Sequence, residues 1–188
     1  DGYYSNYSTN GTKYFNMNHS SNTNAGGWKG CDLRYDVLGS TNTNDGDATA
    51  TTATNPVANT LMAALPSDLR AVMQPMTIYT DNTGGGSDNA SYVTKTTDYL
   101  PLLAEYEIFG TRSYANSAEK NYQAQYAYYS AGNSKVKYCH SATGSTAWWW
   151  ERSPYYNYSG TFCSVATNGN ANGNAASYSY GVAPAFRV

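Results

Sequence analysis

The sequence predicts an α+β domain, and three observations carry that expectation. Apolar residues recur at helical spacing through Val57, Leu61, Met62 and Leu65, and again through Leu69, Val72 and Met73. Short Thr-, Val- and Tyr-rich runs at residues 77–80 and 92–96 have strand composition, with Gly84-Gly85-Gly86 as loop between them. Many loops separate these pieces, which suits short helices beside antiparallel strands rather than a regular βαβ alternation.

Taken in order, residues 3–15 read as a hairpin or two short strands turning at Asn10-Gly11, and residues 16–27 as loop. A first helix is expected over 31–38, with Asp32 as cap and Gly39 as stop. Residues 45–55 look like a surface excursion. Pro56 opens the helical block, Pro66-Ser67-Asp68 starts its second turn, and Pro75 ends it. Buried chain follows from Tyr99 to Leu103 and from Glu105 to a turn at Gly110. Tyr122, Tyr126 and Tyr129 share one face of a helix expected over 114–129, closed by Gly132. Strands are expected at 134–139, 147–152, 160–165 and 181–188, with hairpin-turn chemistry at Asn168-Gly169-Asn170.

At 188 residues the chain fits a single domain, residues 1–188, with enough volume for a proper core. Charged residues are only 13%, so Asn, Ser, Thr and Tyr hydroxyls must carry solubility. A net charge of −2 supplies no attraction for nucleic acid or an anionic membrane. No apolar run approaches the roughly 20 residues of a membrane span, and Asp1-Gly2-Tyr3 lacks the regions of a signal peptide. The expectation is therefore no nucleic-acid partner and no membrane insertion.

The C-terminal part has a composition of its own. Trp148-Trp149-Trp150-Glu151-Arg152-Ser153-Pro154 and Gly181-Val182-Ala183-Pro184-Ala185-Phe186-Arg187-Val188 bracket a segment of Tyr, Asn, Ser, Thr, Gly and Ala. Tyrosine gives broad contact area at low rotamer cost, and Ser, Gly and Asn give adaptable hydrogen bonds, as in antibody binding loops. Trp150, Phe162, Val165, Val182 and Phe186 stay apolar between the polar positions, a pattern that fixes a scaffold and frees its surface.

These residues, with Gly27-Trp28, Cys31-Asp32-Leu33-Arg34, Leu65-Pro66-Ser67-Asp68-Leu69 and the run Thr97 to Leu103 continuing through Glu105, Glu107, Ile108, Phe109 and Gly110, resemble a domain of bacterial and phage surface or tail proteins. The resemblance spans residues 27–188. It is to the C-type-lectin-like variable proteins diversified by retroelements, whose hypervariable stretch precedes the C-terminus and arises by adenine-directed mutagenesis. It implies a C-type-lectin-like fold, short helices around a small antiparallel sheet with a loop-rich ligand face, and a variable segment at about residues 150–186. The ligand-binding residues it implies are Tyr155, Tyr156, Asn157, Tyr158, Ser159, Thr161, Ser164, Ala166, Asn170, Asn172, Asn174, Tyr178 and Tyr180, displayed on one face. The implied partner is a protein or other macromolecule on a host or target surface. The implied location is a virion tail or the cell surface, with attachment to a larger tail or surface protein. A fixed decoration domain of a virion or envelope is the alternative.

Chemistry-bearing constellations are sparse. His19 and His140 are far apart, and no paired Cys spacing supplies a zinc site. Asn42-Thr43-Asn44-Asp45-Gly46-Asp47 resembles part of a calcium loop but lacks the closing Glu, so a polar turn is expected and no cofactor. The fold implied also resembles that of formylglycine-generating oxidases, which rely on paired reactive cysteines, yet Cys163 has no close partner in sequence. Cys139–Cys163 as a bridge and three buried thiols both remain open. Glu105, Glu107 and Glu151 could pair as carboxylates, but Glu151 beside Arg152 reads more simply as an ion pair holding the Trp strand. The expectation is no enzyme. Alternation puts Trp148 and Trp150 on one strand face and Trp149 on the other, and a core pair with a partly exposed Trp149 is one such arrangement.

Overall fold

The computed structural model describes residues 15–19, 21–139 and 142–188, and the hairpin expected over residues 3–15 lies outside them apart from Phe15. The described chain is a mixed α+β fold of short helices and small antiparallel sheets. A π-helical turn, Leu33–Val37, stands where the first helix was expected, and Gly39, at φ 65°, follows it. Asp32 precedes the turn without capping it, because its carboxylate accepts the His19 N–H at 2.8 Å. The supposed surface excursion contains helix α1 (Ala50–Thr54). Helices α2 (Leu61–Ala64) and α3 (Ser67–Val72) follow in the predicted block.

Strands β1 (Met76–Asp81) and β2 (Val93–Asp98) form an antiparallel pair with Met76 opposite Asp98 and Asp81 opposite Val93. Helix α4 (Glu105–Phe109) ends at Gly110 in the left-handed region, φ 70°, as a glycine C-terminus does. The helix expected over 114–129 is broken into a 3-10 turn, Ser117–Asn121, and helix α5 (Ala127–Ser130). Its backbone and polar side chains are engaged elsewhere. Asn116 donates to Asp81, Glu119 accepts from Asp81 N–H and Ser153, and Tyr126 N–H donates to the Glu107 carbonyl. Tyr122 and Tyr126 are exposed, and only Tyr129 is buried.

Strands β3 (Lys137–Cys139) and β4 (Ala142–Ala147) form a hairpin. Strands β5 (Trp149–Pro154), β6 (Thr161–Val165) and β7 (Ala171–Ala175) make a three-stranded sheet in that order. Residues 181–188 do not form the expected strand; they make two isolated bridges, Gly181 to Trp149 and Arg187 to Gln74, and Val182 and Ala183 pack against the core.

All six residues of β5 are buried, because both faces of its sheet are covered. Trp150 and Phe162 enter the main core with Trp28, Leu33, Leu100 and Leu102. Trp149 and Val165 enter a second cluster with Ile108 and Tyr129. The alternation holds, but a partly exposed Trp149 does not: both indoles are buried, and Trp148 is the half-exposed member. The Trp150 indole N–H donates to the Phe15 carbonyl and that of Trp149 to the Lys135 carbonyl, whereas the buried Trp28 indole N–H has no acceptor among the described residues.

Two ion pairs tie the core segments together. Arg34 meets Asp98 at 2.6 Å, with Ser40 and Thr96 hydroxyls donating to the same carboxylate. Arg152 makes a two-pronged pair with Glu107, 2.7 Å on each side. The pair expected between Glu151 and Arg152 is corrected by this geometry. Neighbours on a strand point to opposite faces, so Glu151 is turned away from the guanidinium, fully buried, with neither carboxylate oxygen hydrogen-bonded among the described residues.

Candidate functional site: a tyrosine loop hung on Asn24

The β5–β6 connection, residues 155–160, is held from beneath by one buried side chain. Asn24 Nδ2 lies 3.2, 2.8 and 2.7 Å from the carbonyl oxygens of Tyr155, Tyr158 and Thr161, and its backbone N–H donates to Ser159 carbonyl at 2.6 Å. Asn24 Oδ1 accepts the Gly85 N–H, which joins this loop to the glycine loop after β1. That second loop is fixed in turn by Asp81, whose Oδ1 accepts from Thr83 and Gly84. Gly84 is required there: its φ is +65°, and a Cβ would lie 1.9 Å from the Asn24 carbonyl oxygen.

With its backbone so held, the loop turns its side chains outward. Tyr158 is 61% exposed, Asn157 and Ser159 are exposed, and Tyr155 and Tyr156 are half-buried. Tyr155 sits among three rings, with centroids 4.9 Å from Tyr114, 5.2 Å from Tyr158 and 5.7 Å from Tyr156. Arg112 lies over the Tyr156 ring at 3.8 Å while pairing with Asp88 at 2.9 Å, so its cation is shared between ring face and carboxylate. Gly173 on β7 makes room for Tyr155; a Cβ there would stand 2.8 Å from the ring.

The expected binding residues do not all share this surface. Opposite residues of a ladder share a face, so Thr161 and Gly173 belong with Tyr155, whereas Ser164, Asn172 and Asn174 face the other side. On that side Asn174 donates to Ser164 and accepts from the Tyr180 hydroxyl. Tyr180 stacks on Trp148 at 5.5 Å and lies 4.8 Å from Trp150, with Tyr178 beside it and 54% exposed. Ser164 and Ala166 are corrected outright: both are buried, Ser164 at 0% and Ala166 at 6%, and offer nothing to a ligand. Asn170 is exposed in the β6–β7 turn. The single face therefore becomes a tyrosine loop on one side of the sheet and an aromatic patch on the other, separated by a covered core. Asn24, Arg112 and Tyr114 were missed, because they come from loops distant in sequence.

Below the loop lies a buried polar layer. Glu105 accepts from the backbone N–H groups of Ser113, Tyr114 and Ala115, which shapes the segment carrying Arg112 and Tyr114. Burial pushes Glu119 up to about 7, against the donors Asp81 N–H and Ser153. Burial also raises Glu105 and raises Glu151 strongly, with the Glu105 and Glu119 charges adding to the Glu151 effect. Cys31, Cys139 and Cys163 are all free thiols, so a Cys139–Cys163 bridge is absent. Burial lifts Cys31 to about 12 and Cys163 well above its ordinary value, which keeps both protonated and poorly nucleophilic. No group of three His, Cys, Asp or Glu among the described residues is placed to hold a metal ion. No described helix is long and apolar enough to cross a membrane.

A family model described as a domain of unknown function, DUF6273, matches residues 8–188. The chain belongs to the DUF6273 family. That match covers both the core that builds the sheet and the loop that Asn24 holds. No curated protein and no solved structure matches the chain.

Proposed function

We propose that this DUF6273 domain is a binding module of the C-type-lectin-like, retroelement-diversified kind, and not an enzyme. Its ligand surface is the tyrosine loop, built on Tyr155, Tyr156, Asn157, Tyr158 and Ser159, flanked by Tyr114 and Arg112. One observation carries the reading: the loop is fixed through its carbonyls by Asn24, so its exposed side chains, Asn157, Tyr158 and Ser159, are not needed to hold it. Side chains at such positions can change without unfolding the domain. A cluster of tyrosines with one arginine over a ring is also the composition of interface anchors. The partner is a protein or other macromolecule on a host or target surface, met from a virion tail or cell surface. The Tyr178–Tyr180 patch is a second, separate contact.

Two measurements test this. In the genome, a near-copy of the segment coding for about residues 150–186 should lie close by and differ from it at adenines. In binding to target cells, replacing Tyr156 and Tyr158 with Ala should remove attachment while thermal stability holds. A variant that unfolds, or a gene with neither template copy nor reverse transcriptase nearby, would favour the fixed decoration domain instead.

A further inference from the structure

Apart from the tyrosine loop and the Tyr178–Tyr180 patch, the edge of β1 turned away from β2 has no strand partner among the described residues. In an antiparallel ladder successive residues turn their N–H and C=O alternately toward and away from the partner strand. Asp81 directs both groups away from β2, its N–H to Glu119 and its C=O to Trp28 N–H. Across the ladder Thr97 also points outward, giving its N–H to Asp47 and accepting from Ala48. The two-residue period from Asp81, and the pairing of Thr77 with Thr97, turn Thr77 and Tyr79 outward as well. Gln123 occupies the Tyr79 carbonyl at 2.8 Å. Thr77 N–H, Thr77 C=O and Tyr79 N–H have no hydrogen-bond partner among the described residues.

Thr77 and Tyr79 line a cleft of about 260 Å³. Its walls are Tyr122 and Tyr126, both exposed, with Tyr122 stacked on Tyr79 at 4.3 Å and 7°. Its inner end is closed by the Glu107–Arg152 pair, already neutralised. At its rim stands Arg187, exposed and without an ion-pair partner among the described residues, where the terminal segment bridges to Gln74. Unpaired strand edges recruit extended chain, and main-chain bonds give such contacts affinity while side-chain pockets give them specificity. The uncompensated cation at the rim selects an acidic side chain.

We infer that the β1 edge between Arg187 and Gln123 binds a short extended peptide carrying an acidic residue, by strand addition to Thr77 and Tyr79. The occupant supplies one carbonyl to each of the two free N–H groups and one N–H to the Thr77 carbonyl. Its carboxylate meets Arg187, and its neighbouring side chain lies against the Tyr122 and Tyr126 rings.

The test is a display library of random-sequence peptides panned against the whole chain, followed by binding of the enriched peptides made synthetically. Enriched peptides should carry Asp or Glu, and N-methylation should abolish binding at the one residue whose N–H meets the Thr77 carbonyl while sparing the residues on either side of it. Arg187→Glu should weaken the acidic peptides about tenfold or more and restore affinity to the same peptides with Lys in place of the acid. Tyr122→Ala should weaken both sets, and Tyr156→Ala with Tyr158→Ala should leave them unchanged, which separates this site from the tyrosine loop. The inference falls if no peptide is enriched, if N-methylation is tolerated at every position, or if benzoate competes as well as the peptides. The last outcome would mark a simple anion site.

Discussion

Arg152 reaches past its chain neighbour Glu151 and closes on Glu107, forty-five positions away, with 2.7 Å contacts from both terminal nitrogens. Its remaining donors go to the Thr80 hydroxyl and the Leu102 carbonyl. One buried guanidinium thus links β5, α4, β1 and the chain leading into α4. Removing it strands the Glu107 carboxylate in the interior. Arg152→Met should cost about 3–5 kcal/mol in denaturant unfolding. The double variant Arg152→Met with Glu107→Leu should recover a large part of that loss, because no charge is then left unpaired. Equal losses in the single and double variants would show that packing, not the stranded charge, dominates.

The buried carboxyl layer sets the pH dependence. A carboxyl whose folded pKa exceeds its unfolded value holds its proton more tightly when folded. Its contribution is full below about 4.5 and is lost as pH rises through about 7, the folded value of Glu119. The loss from Glu119 is on the order of 3 kcal/mol, and Glu105 and Glu151 shift in the same direction. Unfolding free energy should therefore decline between pH 4.5 and 7. Glu119→Gln should flatten that decline, and Glu151→Gln should raise stability most at the alkaline end. A stability that rises across this window would contradict the assignment of the layer as proton-holding.

The packing behind Tyr155 is open to a smaller probe. Gly173 has no side chain where the ring sits, and an added methyl would meet the ring at 2.8 Å. Gly173→Ala should move Tyr155 off its Tyr114 contact at a stability cost of about 1–3 kcal/mol. Near-ultraviolet circular dichroism or aromatic proton shifts would report the moved ring. No spectral change would mean that Tyr155 is not seated on Gly173.

Much of this fold was legible in the sequence wherever the signal was local. Gly39 marks a helix end and Gly110 a turn, both in left-handed backbone, and Pro66 and Pro75 bracket α3, whereas the helix α4 that Gly110 closes is read in the sequence only as buried chain. The β6–β7 hairpin turns at Gly169, as its Asn-Gly chemistry requires. The motif charges Arg34, Asp98, Glu107 and Arg152 proved to be partners, but only three-dimensional contact shows which pairs with which. The 114–129 segment failed as a helix because Asn116, Glu119 and Tyr126 bond to β1, β5 and α4, and tertiary bonds outweigh helical spacing there. The binding residues were read from composition, which cannot tell Ser164 in the core from Ser159 on the loop. Asn24 carried no signal at all, being one Asn in a polar stretch.

Asn24 is also where scaffold and surface separate most sharply. It is fully buried, and its amide group serves three carbonyls of the tyrosine loop and one N–H of the glycine loop. Asn24→Ala leaves four backbone groups without that partner and a small void between the loops. A buried polar group left unsatisfied costs about 1–3 kcal/mol, so the global loss should fall in or above that range. Amide exchange should quicken first at Gly85 and through residues 155–161, before the β5–β6 core responds. Tyr158→Ala removes a side chain that is 61% exposed and makes only a ring contact with Tyr155. Its effect on stability should stay within about 0.5 kcal/mol. Measured together by denaturant titration and exchange, the pair discriminates: a loop held by Asn24 loosens with N24A and stays shut with Y158A. If Tyr158→Ala loosens the loop as much as Asn24→Ala, the tyrosines themselves hold it closed and are not free to serve a partner.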